Sequence, residues 1–451
     1  MVVTSDTIVA IATPPGRGGI GIIRLSGKDA VRLSRSIVNR QLRPRYAHFC
    51  KFLDRDGTAI DSGIAIYFPA PGSYTGEDIV EFHAHGSKAA LDMLAQRAVE
   101  LGARQARPGE FTERAFHNDR IDLIQAEAVA DLIDSVSSHA ARSAVRSLEG
   151  EFSRRINALL EKIINLRILI EGALDFPEED ADFLAGTNLA EQLGSCQAEL
   201  DSIFSAARQG AVLNEGVAVV IAGRPNVGKS TLLNRLAGRD AAIVTEEPGT
   251  TRDLIEQVVT IDGIPLRIMD TAGLRTTSNR AEKEGIRRAL AAADMADVLI
   301  LINEYGQAPG KNEQKLMEKS GSGRSVIRVH NKIDLFHVKP ELKRGENNSA
   351  EIFMSAKTGA GMELLMDLLK ELLGMKNLRE DVFIARRRHL DALERTKLSI
   401  VDAAGAYTGK HGMELIAEHL RRAQRALGEI TGVYASDELL GEIFSRFCLG
   451  K

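Results

Sequence analysis

The sequence has little cysteine: Cys50, Cys196 and Cys448 are the three in 451 residues. They are widely separated and odd in number, which argues against a disulfide framework and fits a reducing compartment. Long apolar runs are missing too. No stretch approaches the roughly 18–20 uninterrupted apolar residues of a membrane span. The opening MVVTSDTIVAIATPPGRGG lacks the basic start and long apolar run of a signal peptide, and it is not the Arg-rich, acid-poor helix of a transit peptide. A cytoplasmic protein is expected, with no membrane partner. Nor is there a charge excess: the net charge is −4 and the pI about 6.3, so whole-molecule charge gives no footprint for nucleic acid. RNA contact would have to come from local patches, such as Arg386-Arg387-Arg388 or Arg421, Arg422 and Arg425, or from a partner. Those arginines read equally well as solvated helix faces.

What is present is 44% hydrophobic and 27% charged residues, the balance of a globular protein. A chain of this length exceeds one ordinary core, so two or three domains are expected. Residues 1–118 mix short β-branched runs (Thr7–Ala12, Ile20–Leu25, Gly63–Phe68, Ile79–His83) with Gly and Pro punctuation. One helix is expected at Lys88–Leu101, ended by Gly102. This is an α+β domain. Residues 119–213 turn helical, with Ile156, Leu159, Leu160, Ile163 and Ile164 at helical spacing. An acidic loop follows at 175–180. Residues 376–451 are helical again. Neither helical segment closes a core alone, so the two are expected to form one discontinuous all-α domain.

Between them, residues 214–375 alternate strands and helices, which implies a mostly parallel, doubly wound α/β sheet. Strands are expected at Val217–Ala222, Glu256–Asp262, Pro265–Met269, Val298–Asn303 and Ser325–His330. Asp262-Gly263 marks a hairpin. Helices are expected at Ala281–Ala292 and Gly361–Leu373.

Gly223-Arg224-Pro225-Asn226-Val227-Gly228-Lys229-Ser230, followed by Thr231, fits G-x-x-x-x-G-K-S between a strand and a helix. Loop N–H groups and the helix N-terminus suit phosphate oxygens. Lys229 would bring charge to the β/γ-phosphates, and the Ser230 hydroxyl would ligate Mg²⁺. Further motifs follow in order. Asp270-Thr271-Ala272-Gly273 ends a strand, placing Asp270 near the metal and the Gly273 N–H near the γ-phosphate. Asn331-Lys332-Ile333-Asp334 ends another. The Asp334 carboxylate would accept from guanine N1–H and the N2 amine, whereas adenine would leave it unpaired. Ser355-Ala356-Lys357 would offer backbone N–H groups to guanine O6. Gly249-Thr250-Thr251-Arg252-Asp253 lies in a candidate switch loop, where Thr251 would supply a second oxygen to Mg²⁺. After the Asp-Thr-Ala-Gly motif, Ras-like enzymes carry a water-orienting Gln. Leu274 stands there instead.

With these motifs, Asn226 in the phosphate loop and Gly-Thr-Thr-Arg-Asp in the switch, the chain resembles the Era/MnmE branch of the translation-factor-related GTPases. The flanks narrow the resemblance to the MnmE family. They are Thr7–Gly21 (TIVAIATPPGRGGIG), Tyr74-Thr75-Gly76-Glu77-Asp78, Arg107-Pro108-Gly109-Glu110-Phe111-Thr112, the run DLIQAEAVADLI from Asp122, and the terminal Cys448-Leu449-Gly450-Lys451. The resemblance spans the whole chain.

The resemblance implies a P-loop GTPase domain inserted into the discontinuous helical domain, behind an N-terminal folate-binding α+β domain. It implies a homodimer whose GTP hydrolysis is K⁺-activated. The ion would be held by Asn226, Thr245, Glu247 and Thr250, in the loop Thr245-Glu246-Glu247-Pro248-Gly249 that also lines the nucleotide. Glu282 would orient the attacking water; read alone, it is an ordinary exposed helix glutamate. A tetrahydrofolate derivative (5-formyl or methylene) would meet Arg24, Glu81, Arg120 and Lys451, where Arg120 stands in place of the family's frequent lysine. With the FAD-containing partner MnmG, in a heterotetramer or larger complex, such a protein modifies C5 of the wobble uridine, position 34, of certain tRNAs, adding an aminomethyl or carboxymethylaminomethyl-type group. Cys448, between Arg446 and Lys451, would be a thiolate-prone catalytic candidate or an ordinary exposed thiol. His83 and His85 form a pair too small for a metal site and read as polar strand residues. Alternatives of other classes are a ribosome-assembly, RNA-binding regulatory GTPase without modification chemistry, and a folate-binding interaction module.

Overall fold

The computed structural model describes residues 6–135, 137–175, 188–237, 256–261, 264–270, 296–308, 310, 314, 325–345, 349–372, 382–408, 412–445, 447 and 450. They fall into two compact units. One comprises Met1–Ala130, Leu148–Asp175 and Met413–Lys451; the other comprises Asp131–Ser147 and Phe176–Gly412.

In the first unit, strands β1 (Ile8–Ile11), β2 (Gly18–Ser26), β3 (His48–Leu53), β4 (Ala59–Phe68), β5 (Ile79–Gly86) and β6 (Arg104–Gln105) form a mixed sheet in the order β3-β4-β5-β2-β1-β6. Strand β3 shows why it pairs: His48, Cys50 and Phe52 point inward while Phe49 and Lys51 point out, the period-two pattern of a half-buried strand. Helices α1 (Ala30–Val38) and α2 (Lys88–Glu100) supply Leu33, Ile37, Leu91 and Leu94 to a core shared with Ile23, Leu25, Phe52 and Phe82. The Phe52 and Phe82 rings meet edge to face at 5.4 Å. Helix α3 (Glu110–His117) follows, and α4 (Leu123–Asp134) starts in this unit. Helix α6 (Glu151–Asp175) packs along α11 (Met413–Thr431), and α12 (Asp437–Ser445) closes the unit. Helix α12 docks by Ile443 and Phe444, together with Phe447, against Leu123 and Ala126.

The second unit holds α5 (Ser138–Leu148) up to Ser147, and α7 (Leu189–Glu215), which pairs with α10 (Arg387–Thr408). Asn188 caps α7 by accepting from Glu191 N–H, while its amide donates to the Glu191 carboxylate. Both long pairings, α6 with α11 and α7 with α10, join a helix from before the α/β segment to one from after it.

That segment contains β7 (Val217–Ala222), α8 (Lys229–Ala237), β8 (Glu256–Ile261), β9 (Ile264–Asp270), β10 (Val298–Glu304), β11 (Ser325–Asn331), β12 (Glu341–Arg344), β13 (Ser349–Phe353) and α9 (Met362–Leu372). The sheet order is β12-β13-β11-β10-β7-β9-β8, parallel from β13 to β9 with an antiparallel strand at each edge. Every residue of β7 is buried, as expected of a central parallel strand covered on both faces. Ile261 pairs with Ile264, so two residues separate β8 from β9, as the Asp-Gly signal requires. Asp262 and Gly263 themselves, and the helix expected at 281–292, lie outside the described residues. No helix among the described residues is long and apolar enough to cross a membrane.

Candidate nucleotide site and its neighbours

The phosphate loop leaves the carboxyl end of β7 and runs straight into α8. Asn226 and Gly228 both have positive φ, 64° and 105°. A Cβ at 228 would stand 2.3 Å from the Asn331 side-chain nitrogen, so only glycine fits. Lys229 opens α8 and is 9% exposed. Its Nζ donates to the carbonyls of Gly223 and Arg224, 2.7 Å each, which holds the ammonium inside the loop. Ser230 and Thr231 lie exposed on the first turn of α8. A hydroxyl there, beside a helix N-terminus, suits a hard cation such as Mg²⁺.

The base-recognition motifs converge on the same loop. Asn331, buried at the end of β11, donates from Nδ2 to the Val227 carbonyl at 2.7 Å and accepts from Ala356 N–H at 2.8 Å. One amide thereby joins the phosphate loop, the Asn-Lys-Ile-Asp turn and the Ser-Ala-Lys loop. Lys332 takes a left-handed φ of 67°, and its Nζ pairs with Glu304 at 2.9 Å. The Asp334 Oδ1 is buried without a hydrogen-bond partner. A buried carboxylate oxygen left unpaired is costly, and it fits the N–H donors on the guanine edge. Ser355 is fully buried. Asn226 is exposed, and its side-chain oxygen suits K⁺. Thr245, Glu246, Glu247, Pro248, Gly249, Thr250, Thr251, Thr271, Ala272, Gly273, Leu274 and Glu282 lie outside the described residues, as does the Asp270 side chain.

In the first unit, Arg24 on β2 and Glu81 on β5 are register partners joined at 2.8 Å. The other Glu81 oxygen meets His83 Nε2 at 3.1 Å. Arg24 Nη1 also donates to the Gly450 carbonyl at 3.2 Å. A carboxylate with spare lone pairs beside a guanidinium suits a ligand carrying both amine donors and carboxylates. Arg120 is exposed and lies beside Gly76. Cys448 and Lys451 lie outside the described residues. His85 pairs with Asp61, and among the described residues no group of His, Cys, Asp and Glu could hold a metal.

The family model "MnmE helical domain" matches residues 123–448, and that of the "GTP-binding protein TrmE N-terminus" matches residues 7–120. The tRNA modification GTPase MnmE of Hydrogenovibrio crunogenus is 49% identical over 450 residues, covering 99% of each chain. The protein of the same name from Pseudomonas savastanoi pv. phaseolicola is 50% identical over 457 residues, covering 100% of each. This chain belongs to the MnmE family of tRNA modification GTPases. Among solved structures, the G domain of the T. maritima FeoB iron transporter is similar at 28% identity, covering 35% of this chain and 98% of that one, with a TM-score of 0.25.

The MnmE signatures outside the nucleotide site have structural work. In the Asp-Leu-Ile-Gln run, Asp122 Oδ1 accepts from Gln125 N–H at 2.9 Å and Gln125 Oε1 accepts from Asp122 N–H at 3.0 Å, a reciprocal cap on α4. Tyr74 and Thr112, from two further signatures, share a hydroxyl–hydroxyl bond of 2.9 Å. Arg114, 5% exposed, gathers Asp6, Glu77 and Glu110, and Arg104 also donates to Glu110. Burial alone would push the Glu110 carboxyl up, but bonds from Arg104, the Arg107 N–H and Arg114 outweigh it and hold the group below the usual glutamate range. Arg114 and Glu304, the partner of the motif residue Lys332, are not marked in the sequence, because neither lies inside a nucleotide motif.

Proposed function

We propose that this MnmE-family protein hydrolyses GTP in a K⁺-activated, dimerisation-linked cycle and uses that cycle to drive modification of the wobble uridine of certain tRNAs. The observation that carries the guanine assignment is the buried, unpartnered Asp334 Oδ1, at a strand end that Asn331 fastens to the phosphate loop. Lys229 neutralises phosphate charge, and the hydroxyls of Ser230 and Thr251 would hold Mg²⁺, near Asp270. Asn226, Thr245, Glu247 and Thr250 would hold K⁺, which supplies the positive charge that an arginine finger supplies elsewhere. Glu282 orients the attacking water where Leu274 cannot. Asn226–Thr231, Thr245–Thr251, Asp270–Gly273, Asn331, Lys332, Asp334 and Ser355–Lys357 form the nucleotide envelope.

Domains are taken at 1–118, 119–213, 214–375 and 376–451, the second and fourth forming one helical domain. Arg24, Glu81, Arg120 and Lys451 would bind a tetrahydrofolate derivative, which when bound supplies a one-carbon unit. The contact of Arg24 with the Gly450 carbonyl supports a role for the Cys448–Lys451 tail in binding beside Arg24 and Glu81, with Cys448 as the nucleophile candidate. The partners are a second copy of the chain, the FAD protein MnmG and tRNA, in the cytoplasm.

The test is nucleoside analysis of tRNA from a strain lacking the gene, with and without complementation. Loss of a C5-modified wobble uridine and its return on complementation are expected. A strain with unaltered tRNA nucleosides would overturn the assignment in favour of a ribosome-assembly role.

A further inference from the structure

The loop carrying Ser355, Ala356 and Lys357 is closed on itself. Ser355 N–H donates to the Ala360 carbonyl at 2.9 Å, Gly359 N–H to the Ser355 carbonyl at 2.8 Å, and Thr358 N–H to Ser355 Oγ at 3.2 Å. Those bonds set the loop's shape but leave open where the loop stands relative to the phosphate loop. Two contacts from outside do that. Asn331 takes the Ala356 N–H. On the other side Arg235 Nη2 donates to the Lys357 carbonyl at 2.6 Å. Arg235 belongs to α8, the helix that begins with Lys229. Its guanidinium lies so close to the loop that a Cβ at Gly359 would clash with Nη1. Among the described residues, the Lys357 N–H enters no hydrogen bond. The Ala356 N–H is engaged by Asn331, so Lys357 carries the available donor of the triplet.

We propose that Arg235 is a positioning residue for base recognition: it clamps the Lys357 carbonyl from the phosphate-binding helix and so holds the Lys357 N–H at guanine O6. The proposal rests on the reading that residues 355–357 meet O6. A guanidinium–carbonyl bond is charge-assisted and directional, which a lysine ammonium reproduces only in part. Because the clamp starts on α8, base and phosphate recognition share one rigid element. No motif marks Arg235 in the sequence; the contact spans 122 positions.

The test measures binding of GDP and of 6-thio-GDP to the full-length protein and to its Arg235→Ala and Arg235→Lys variants. The thio analogue keeps N1–H, the N2 amine and the phosphates but replaces O6 with sulfur, a weak acceptor. The unaltered protein should prefer GDP. Arg235→Ala should weaken GDP about fivefold, the worth of roughly one hydrogen bond, while changing 6-thio-GDP little. Arg235→Lys should fall between. GTP turnover at saturation should stay near that of the unaltered protein, with the loss in KM. Unchanged GDP affinity in Arg235→Ala would overturn the proposal, and so would an equal loss for both ligands, which would place Arg235 in the phosphate-binding helix alone. If Arg235→Ala fails to fold, the same criterion applies to Arg235→Lys. If the unaltered protein itself does not distinguish the two ligands, the O6 reading of the loop fails, whatever the variants do.

Discussion

Asn331 donates from its side-chain amide to the carbonyl of Val227, 2.7 Å away, and so fastens the base-recognition turn to the phosphate loop. Asn331→Ala strands that carbonyl and the Ala356 N–H together. Each unpaired buried group costs about 1–3 kcal/mol, so GTP and GDP affinities should both fall at least about tenfold. Titration calorimetry on the variant decides it; unchanged affinity would remove Asn331 from the site.

Base choice rests on Asp334. Exchanging its carboxylate for an amide, Asp334→Asn, turns an N–H donor toward the guanine N2 amine, itself a donor, whereas xanthine offers a carbonyl oxygen there. GTP binding should weaken by about two orders of magnitude while XTP binding improves. A competition assay with both nucleotides reads the switch, and a variant with the original preference would sink the assignment.

Ion dependence follows from Leu274 standing where a water-orienting glutamine would. GTP hydrolysis should be much faster in KCl than in NaCl at equal ionic strength. Glu282→Ala should lower kcat by about two to three orders of magnitude with nucleotide affinity nearly intact. Equal rates in the two salts would delete the K⁺ site from the mechanism.

Docking of the C-terminal helix depends on Gly109. Its φ is 70°, and a Cβ there would meet the Phe444 carbonyl at 2.3 Å. Gly109→Ala should cost about 2–3 kcal/mol in a denaturant titration, through backbone strain and displacement of Phe444 and Phe447. GTP hydrolysis should survive, because no nucleotide-binding residue is involved. A variant of unaltered stability would show that α12 is held elsewhere.

Acid should find the Glu110 cluster. The folded carboxyl titrates below its unfolded value, so its stabilisation is complete above the ordinary glutamate pKa of about 4.3 and is lost as pH falls through the lower, folded value. The stability gap between the unaltered protein and Glu110→Gln should therefore be full at pH 7 and shrink below about pH 4. A gap independent of pH would mean that Glu110 acts by shape alone.

The nucleotide motifs were legible in the sequence because their chemistry is local: eight consecutive residues at one strand–helix junction specify a phosphate cradle. The Asp262-Gly263 hairpin was legible for the same reason. Strands β12 and β13 were not, since Glu341–Arg344 is a charged edge strand and Ser349–Phe353 is only five residues long. In the buried cluster only Glu77 and Glu110 stand inside family signatures, and Arg114 does not. Its partner Asp6 lies 108 positions away, and no local pattern announces a pairing made by the fold. Arg235 escaped likewise.

Between α7 and β7 the chain spends a single residue, Gly216. The helix has 27 residues and so measures about 40 Å, with the phosphate loop at the far end of the six-residue strand. No loop intervenes to absorb a change of angle, so strand and helix act as a lever. A tilt of about 5° at the strand would swing the Asn188 end of a 40 Å arm by about 3.5 Å. A small rearrangement around a phosphate, carried through such an arm, would become a displacement as large as a side chain.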